Sequence, residues 1–285
     1  MAMFAVDASD GLAVFAVDAQ HGMNIPQRTL SGLTWELYSP LHVDPAKAPV
    51  LMINGYAGGR GDWGPIVRMV GTRARRPVIV FDQRGVGGTA KEAGPFTIEQ
   101  LAADAHAVVK DAGFERVAVC GLSLGGMVAQ SFALEYPEAT AALLLGGTTH
   151  GGRDAVQPPA RFLELCTELA QHPEPNLSEV MVAFTDTAAP PALWEGDTGA
   201  LRLSQAQAGI GRTMRAPAGL QGQLAAMMRF NSTRRLGEIG CPTLVLTGDE
   251  DEASRPRGRC PSSCNHICNH ICNHICKTTP LPLQL

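Results

Sequence analysis

Two kinds of apolar pattern alternate along the chain. Continuous apolar runs at residues 49–56, 77–85, 117–122, 141–145 and 243–246, each next to Gly or Pro or ending in a Gly turn, predict strands buried on both faces, as in a parallel sheet covered by helices. Between them the apolar positions take helical spacing. Residues 97–113 open with Thr97 as an N-cap candidate and carry apolar positions through Val108 and Val109, and residues 124–136 form a helical run stopped by Pro137. The order is βαβαβαβ, which predicts an α/β sheet with right-handed crossovers and ligands at the carboxyl ends of its strands. Ser123, Tyr56, Gln83 and Thr148 all lie at such ends.

Residues 150–235 break this alternation. Helical patterns at 161–171 and 221–230 are separated by turns such as Ala189-Pro190-Pro191 and Gly209-Ile210-Gly211. Near the start, Phe4-Ala5-Val6-Asp7-Ala8 recurs as Phe15-Ala16-Val17-Asp18-Ala19 around Asp10-Gly11; the two pieces form either a hairpin or a disordered extension.

The strongest chemical signal is Gly121-Leu122-Ser123-Leu124-Gly125, which joins an apolar strand directly to a helix. A sharp strand-to-helix turn pushes the serine hydroxyl out of the sheet, and Gly121 and Gly125 avoid the crowding that side chains would cause. The pentapeptide alone is common, so its surroundings decide. Four segments occur in order: Asn54-Gly55-Tyr56 with Asp62-Trp63, residues 81–87 (Phe-Asp-Gln-Arg-Gly-Val-Gly), residues 121–130, and residues 242–251 ending Gly248-Asp249-Glu250-Asp251. On these segments the chain resembles the α/β-hydrolase superfamily over residues 29–251, and most of all its small esterase, lactonase and cofactor-free haloperoxidase-like members. Aspartate-nucleophile relatives, the epoxide hydrolases and haloalkane dehalogenases, are disfavoured by Ser123.

The resemblance implies an α/β-hydrolase fold, a mostly parallel sheet flanked by helices with a helical cap insertion. It implies Ser123 as nucleophile of an acyl-enzyme mechanism, the backbone N–H groups of Tyr56 and Leu124 as the oxyanion hole, and Asp251 as the triad acid, with Asp249 as its competitor. Members often have His where Asn54 stands. The implied organisation is an N-terminal extension (1–28), a core (29–149), the cap (150–235), a second core piece (236–252) and a tail (253–285). Met181, Phe184, Trp194, Met214, Met227 and Met228 are candidates for an apolar pocket lining, favouring an apolar acyl ester or lactone. No cofactor or metal is required.

The chain departs from the family where the triad histidine is due. No final strand, helix or Gly-His turn follows Asp251; instead Cys-Asn-His-Ile is repeated three times from Cys264 and closed by Cys276. The tail reads as disordered or as the product of a shifted frame, a retained intron or a mistaken gene model. Its rivals are a metal-binding tail and a catalytic return of His266, His270 or His274. Among the other histidines, His106 reads as a helix-surface residue, His21 and His42 as loop residues, and His150 as pocket lining or simply exposed. Loss of the last elements would leave strand 243–246 as an aggregation-prone edge.

Composition narrows the class without changing it. With 285 residues, 45% of them apolar, the chain can build one hydrolase domain with a cap, and a net charge of −4 argues against nucleic acid as partner. No run reaches membrane-spanning length, and Asp7, Asp10 and Asp18 interrupt the N-terminal apolar residues, against a secretory leader. Outside the tail only Cys120, Cys166 and Cys241 remain, which fits buried thiols in a reducing, cytoplasmic setting rather than a disulfide framework. The function expected is serine hydrolysis of an ester or related acyl bond, inactive if no histidine serves Ser123. The alternatives are a catalytically dead binding module of the same fold and a metal-binding protein acting through its tail. Nothing in the chain predicts an oligomeric state.

Overall fold

Residues 2–8, 11–18, 22–29, 32–89, 94–155, 157–171 and 216–246 are described by the computed structural model. The short apolar runs become β5 (Val50–Ile53), β6 (Val78–Phe81), β7 (Val117–Leu122), β8 (Thr140–Gly146) and β9 (Thr243–Leu246). Preceding them are β1 (Ala2–Ala8), β2 (Gly11–Asp18), β3 (Gly22–Arg28) and β4 (Thr34–Ser39). Among the described residues the strands form one sheet in the order β1-β2-β3-β4-β6-β5-β7-β8-β9. From β6 through β5, β7 and β8 to β9 all neighbours are parallel; β4 joins β6 antiparallel, and β1 to β4 continue as an antiparallel meander.

The repeated Phe-Ala-Val-Asp-Ala pieces therefore pair with each other, Ala2 opposite Val17 and Ala8 opposite Gly11, and β3 links them to the central sheet. Of the two alternatives, the hairpin is the one adopted.

Side chains alternate between two cores, as strand geometry requires. Leu51, Ile53, Ile79 and Phe81 enter the larger core with α2 (Ile98–Asp111) and α3 (Leu124–Glu135). Met52, Val78 and Val80 face the other way, against Tyr38, Trp63 and Val67. Val67 belongs to α1 (Pro65–Ala74), which ends at Arg75 in a left-handed C-cap. Each fully buried side chain of this kind contributes roughly 1.5–3 kcal/mol relative to exposure.

The N-cap of α2 is Thr97, whose hydroxyl accepts the N–H of Gln100 at 3.1 Å. Residues 124–133 of α3 are all buried, so that helix reads as apolar all round rather than amphipathic. Between β8 and β9 the described helices are α4 (Ala160–Gln171) and α5 (Pro217–Arg229), packed against each other.

Cys166 of α4 is buried, whereas Cys120 and Cys241, expected to be buried, are only half-buried, because Cys120 packs at the margin of the smaller core and Cys241 at the margin of the larger one. On β9, Leu244 and Leu246 are 43% and 40% exposed. Among the described residues, no helix is long and apolar enough to cross a membrane.

Candidate active site

The turn between β7 and α3 is strained at the serine. Ser123 has φ 53° and ψ −118°, a conformation that side chains rarely adopt and that costs about 1–3 kcal/mol. Hydrogen bonds to its main chain hold it there. Its N–H donates to Gly146 O at 2.9 Å, and its carbonyl accepts the Gly126 N–H at 2.9 Å and the Thr148 hydroxyl at 2.7 Å.

The flanking glycines are needed for space and not for an unusual φ, because neither falls among the positive-φ residues. A Cβ on Gly121 would lie 2.2 Å from Gly125 O, and one on Gly125 would lie 2.1 Å from Ile53 O. Strand, turn and neighbouring strand thus touch backbone to backbone.

Beside the serine runs the loop that leaves β5. A Cβ on Gly55 would sit 3.3 Å from Ser123 Cβ and 3.8 Å from its Oγ, so the Gly55–Tyr56 peptide borders the hydroxyl. Asn54 shapes the loop: its Oδ1 accepts the Gly55 N–H at 2.9 Å and its Nδ2 donates to Gly59 O at 3.0 Å. Asn54 itself thus ties down the loop. Among the described residues, the backbone N–H groups of Tyr56 and Leu124 donate to no protein acceptor, Leu124 being the first residue of α3.

Two glutamines and one tyrosine fasten this loop. Gln83 Nε2, at the end of β6, donates to Asn54 O at 2.8 Å. Gln223 of α5 accepts the Ala57 N–H at 3.1 Å and donates to Arg84 O at 2.6 Å. Ala57 is itself held at φ 60°. The Tyr56 hydroxyl donates to Cys166 O of α4 at 2.9 Å, and burial pushes its pKa well up.

A second buried network lies below, where Asp82 accepts the backbone N–H groups of Arg60 and Gly88, each at 2.8 Å, and pairs with the Arg60 guanidinium. Arg60 Nε also meets Glu36 at 2.8 Å. These charges set the loops after β5 and β6.

Ser123 opens into a cavity of about 680 Å³. Met127, Phe162, Met227, Met228 and Phe230 form its apolar wall. The rest is polar, with Thr148, Thr149, Asn231 and Thr233 beside Arg153, Arg229 and Arg234. Two of the expected lining residues, Met227 and Met228, are thus in place; Met181, Phe184, Trp194 and Met214 lie outside the described residues. So do Asp251, Asp249 and the whole Cys-Asn-His-Ile tail.

Among the described residues, the Ser123 hydroxyl has no hydrogen-bonding partner, histidine included. His150 is neither pocket lining nor exposed. It is 4% exposed, and its Nδ1 meets Thr233 Oγ1 at 3.0 Å. His106 stacks on Tyr136 at 4.0 Å between ring centroids, half-buried on α2, and His42 is exposed. No group of three His, Cys, Asp or Glu side chains suited to a metal ion occurs among the described residues.

Gln223 escaped the sequence reading, although a signal was present. Gly219 and Gly222 interrupt a helix, which usually marks close backbone approach. A Cβ on Gly85 would lie 2.6 Å from Gly219, and one on Gly94 would lie 2.7 Å from Gly222, so α5 lies directly on the loops that follow β6.

The family model described as alpha/beta hydrolase fold matches residues 48–277, most of the chain and beyond the last recognisable motif at Asp251. A carbamate hydrolase, RutD, of Azorhizobium caulinodans is 27% identical over 224 residues, covering 76% of this chain and 77% of that protein. Relatives of the same name in Escherichia coli are 36% identical over 101 residues, and there the match spans only 37% of their length.

Solved structures share the fold, among them the following two. A hydrolase from Pseudomonas aeruginosa has a TM-score of 0.62 at 24% identity, covering 79% of this chain and 80% of its own. A thermophilic esterase from Thermogutta terrifontis has a TM-score of 0.62 at 22% identity, covering 90% and 83%. The strand order, the strained serine between β7 and α3 and the family match over most of the sequence agree: the chain belongs to the alpha/beta hydrolase fold family and is an enzyme of that hydrolase type.

Proposed function

We propose that the chain is a serine hydrolase that cleaves an ester, lactone or related acyl bond through an acyl-enzyme at Ser123. The observation that carries this is the placement of Ser123, a strained residue on the wall of the cavity with Gly55 beside its hydroxyl. Ser123 Oγ attacks the carbonyl carbon as its proton passes to a general base. The negative charge that develops on the carbonyl oxygen is met by the N–H groups of Tyr56 and Leu124. Collapse of the tetrahedral intermediate breaks the bond to the leaving group, which takes up the proton. Water then attacks the acyl-enzyme, releasing the acid and restoring the serine.

In this scheme Asp251 orients the base, and the base is the one part of the relay without an assigned residue. Residues 150–235 act as the cap, with α4 and α5 shaping the acyl side of the cavity. The names of the relatives favour ester or carbamate chemistry. Among the described residues the three cysteines are free thiols, which fits a reducing cytoplasmic setting.

A fluorophosphonate probe tests the reading. Covalent labelling of the folded chain, abolished in Ser123→Ala, is the expected result. Absence of labelling in the folded wild-type chain would instead favour a binding module without turnover, a reading supported by the lack of a histidine on Ser123 among the described residues.

A further inference from the structure

We infer that Arg229 and Arg234, with Arg153, form an anion subsite in the Ser123 cavity, so that the substrate is an acyl compound carrying a carboxylate away from its reactive carbonyl. This rests on Ser123 being the nucleophile. The three arginines come from two distant stretches of chain that the backbone binds together. Gly151 bridges Asn231, the Gly152 N–H donates to Phe230 O at 3.1 Å, and the Ser232 N–H donates to His150 O at 2.9 Å. The approach is tight, since a Cβ on Gly151 would lie 2.1 Å from Phe230 O. Arg153 follows that bridge on one side, while Arg229, the last residue of α5, and Arg234 flank it on the other, and all three line the cavity that Ser123 lines.

The charges on this wall are unbalanced. Arg84 closes on Asp104 at 2.5 Å and Arg235 on Glu135 and Glu238 at 2.5 and 3.1 Å. Arg153, Arg229 and Arg234 have no carboxylate within 4.0 Å among the described residues. Arg234 and Arg235 are adjacent in sequence, yet only the one directed away from the cavity is neutralised. Asp154 is the one acidic residue on the described lining and also lacks an ion-pair partner, so the wall keeps an excess of two positive charges.

Guanidinium groups fit carboxylates bidentately, and a concave wall of one sign concentrates its field on the ligand. Neutral donors on Asn231 and Thr149 stand beside them. The apolar wall of Phe162 and Met227 then takes the chain that separates the carboxylate from the carbonyl.

The test compares the p-nitrophenyl monoester of glutaric acid with neutral p-nitrophenyl valerate, of equal length, on the full chain. The expected kcat/KM favours the anionic ester by about tenfold at low salt, and that preference falls towards unity near 0.5 M sodium chloride. The Arg229→Gln/Arg234→Gln double variant removes the preference, while Arg235→Gln keeps it. Equal kcat/KM for the two esters, or a preference that survives the double variant, overturns the subsite.

If neither ester is hydrolysed, the serine-hydrolase reading fails, and calorimetric titration of the chain with glutarate decides the subsite on its own. Binding that is lost in the double variant upholds the subsite; no binding, or binding indifferent to the variant, overturns it.

Discussion

The hydroxyl of Thr148, at the end of β8, donates to the main-chain carbonyl of Ser123 at 2.7 Å. One strand thereby holds the strained turn that ends its neighbour. Thr148→Val keeps the volume and removes the bond, and should lower stability by about 1 kcal/mol while slowing fluorophosphonate labelling. Urea midpoints and labelling rates check both; wild-type values for the two would show that the turn does not need this bond.

Gly55 and Gly125 separate reactivity from folding. Alanine at 125 drives a methyl group into the carbonyls of Ile53 and Asn54, at 2.1 and 2.6 Å, where only backbone could give way. The expected loss is about 3 kcal/mol or an insoluble chain. Alanine at 55 meets Ser123 Cβ at 3.3 Å, a contact a small shift can absorb. That variant should fold but react with the probe roughly tenfold more slowly, through displacement of the hydroxyl. Equal reactivity of Gly55→Ala and wild type would place the loop farther from the reacting atom than the geometry indicates.

Gln223 joins α5 to the loop after β5 through the Ala57 N–H and the Arg84 carbonyl. Gln223→Leu removes both of these bonds, at a cost of about 2 kcal/mol. Turnover of a p-nitrophenyl ester should fall in kcat more than it rises in KM, because Tyr56 is the neighbour of Ala57. A change confined to KM would assign Gln223 to substrate binding instead.

Burial pushes the Cys166 thiol up to about 12 and the Cys120 thiol up to about 11. At about pH 8 the thiolate fraction of Cys166 is on the order of one in ten thousand. Iodoacetamide should leave Cys166 unmodified until urea is added, as peptide mass spectrometry would show. Rapid alkylation of Cys166 in the folded chain would mean that α4 opens.

Burial lowers the His106 pKa below its ordinary value of 6.5; Lys110 adds to the effect and Glu115 opposes it. In the window between the lowered folded value and 6.5, the unfolded chain binds the proton more readily, so stability falls as pH drops through that window. Above it the imidazole is neutral in both states and contributes no slope. His106→Phe keeps a ring against Tyr136, and its melting temperature should fall less than the wild type's between about pH 7 and pH 5. Parallel acid-side declines would show that other groups dominate.

The parallel half of the sheet was legible because strands covered on both faces are written as unbroken apolar blocks, as at Val50 to Ile53 and Val78 to Phe81. The strand-to-helix turn at Ser123 and Leu124 was legible because its strand, glycines and helix are contiguous in sequence. The arginine wall was not, since Arg153 and Arg229 are brought together only by the Gly151–Asn231 bridge. His150 was misjudged for a related reason: its position after β8 pointed to the pocket, but the same bridge turns it inward to Thr233. The apolar lining inferred from methionines and aromatics described one wall and missed the charged one.

The loop after β5 is held on one side by Gln83 from the sheet and on the other by Gln223 and Cys166 from the helices between β8 and β9. Those helices are therefore not an interchangeable module. Helices borrowed from a relative would have to bring a glutamine and a backbone carbonyl to the same two points, or they would disturb the loop. Single replacements on the cavity wall leave these anchors untouched. Evolution of new specificity in this lineage, and its redesign in the laboratory, should proceed by point substitution at positions such as Arg229, Arg234 and Met228, with those helices kept whole.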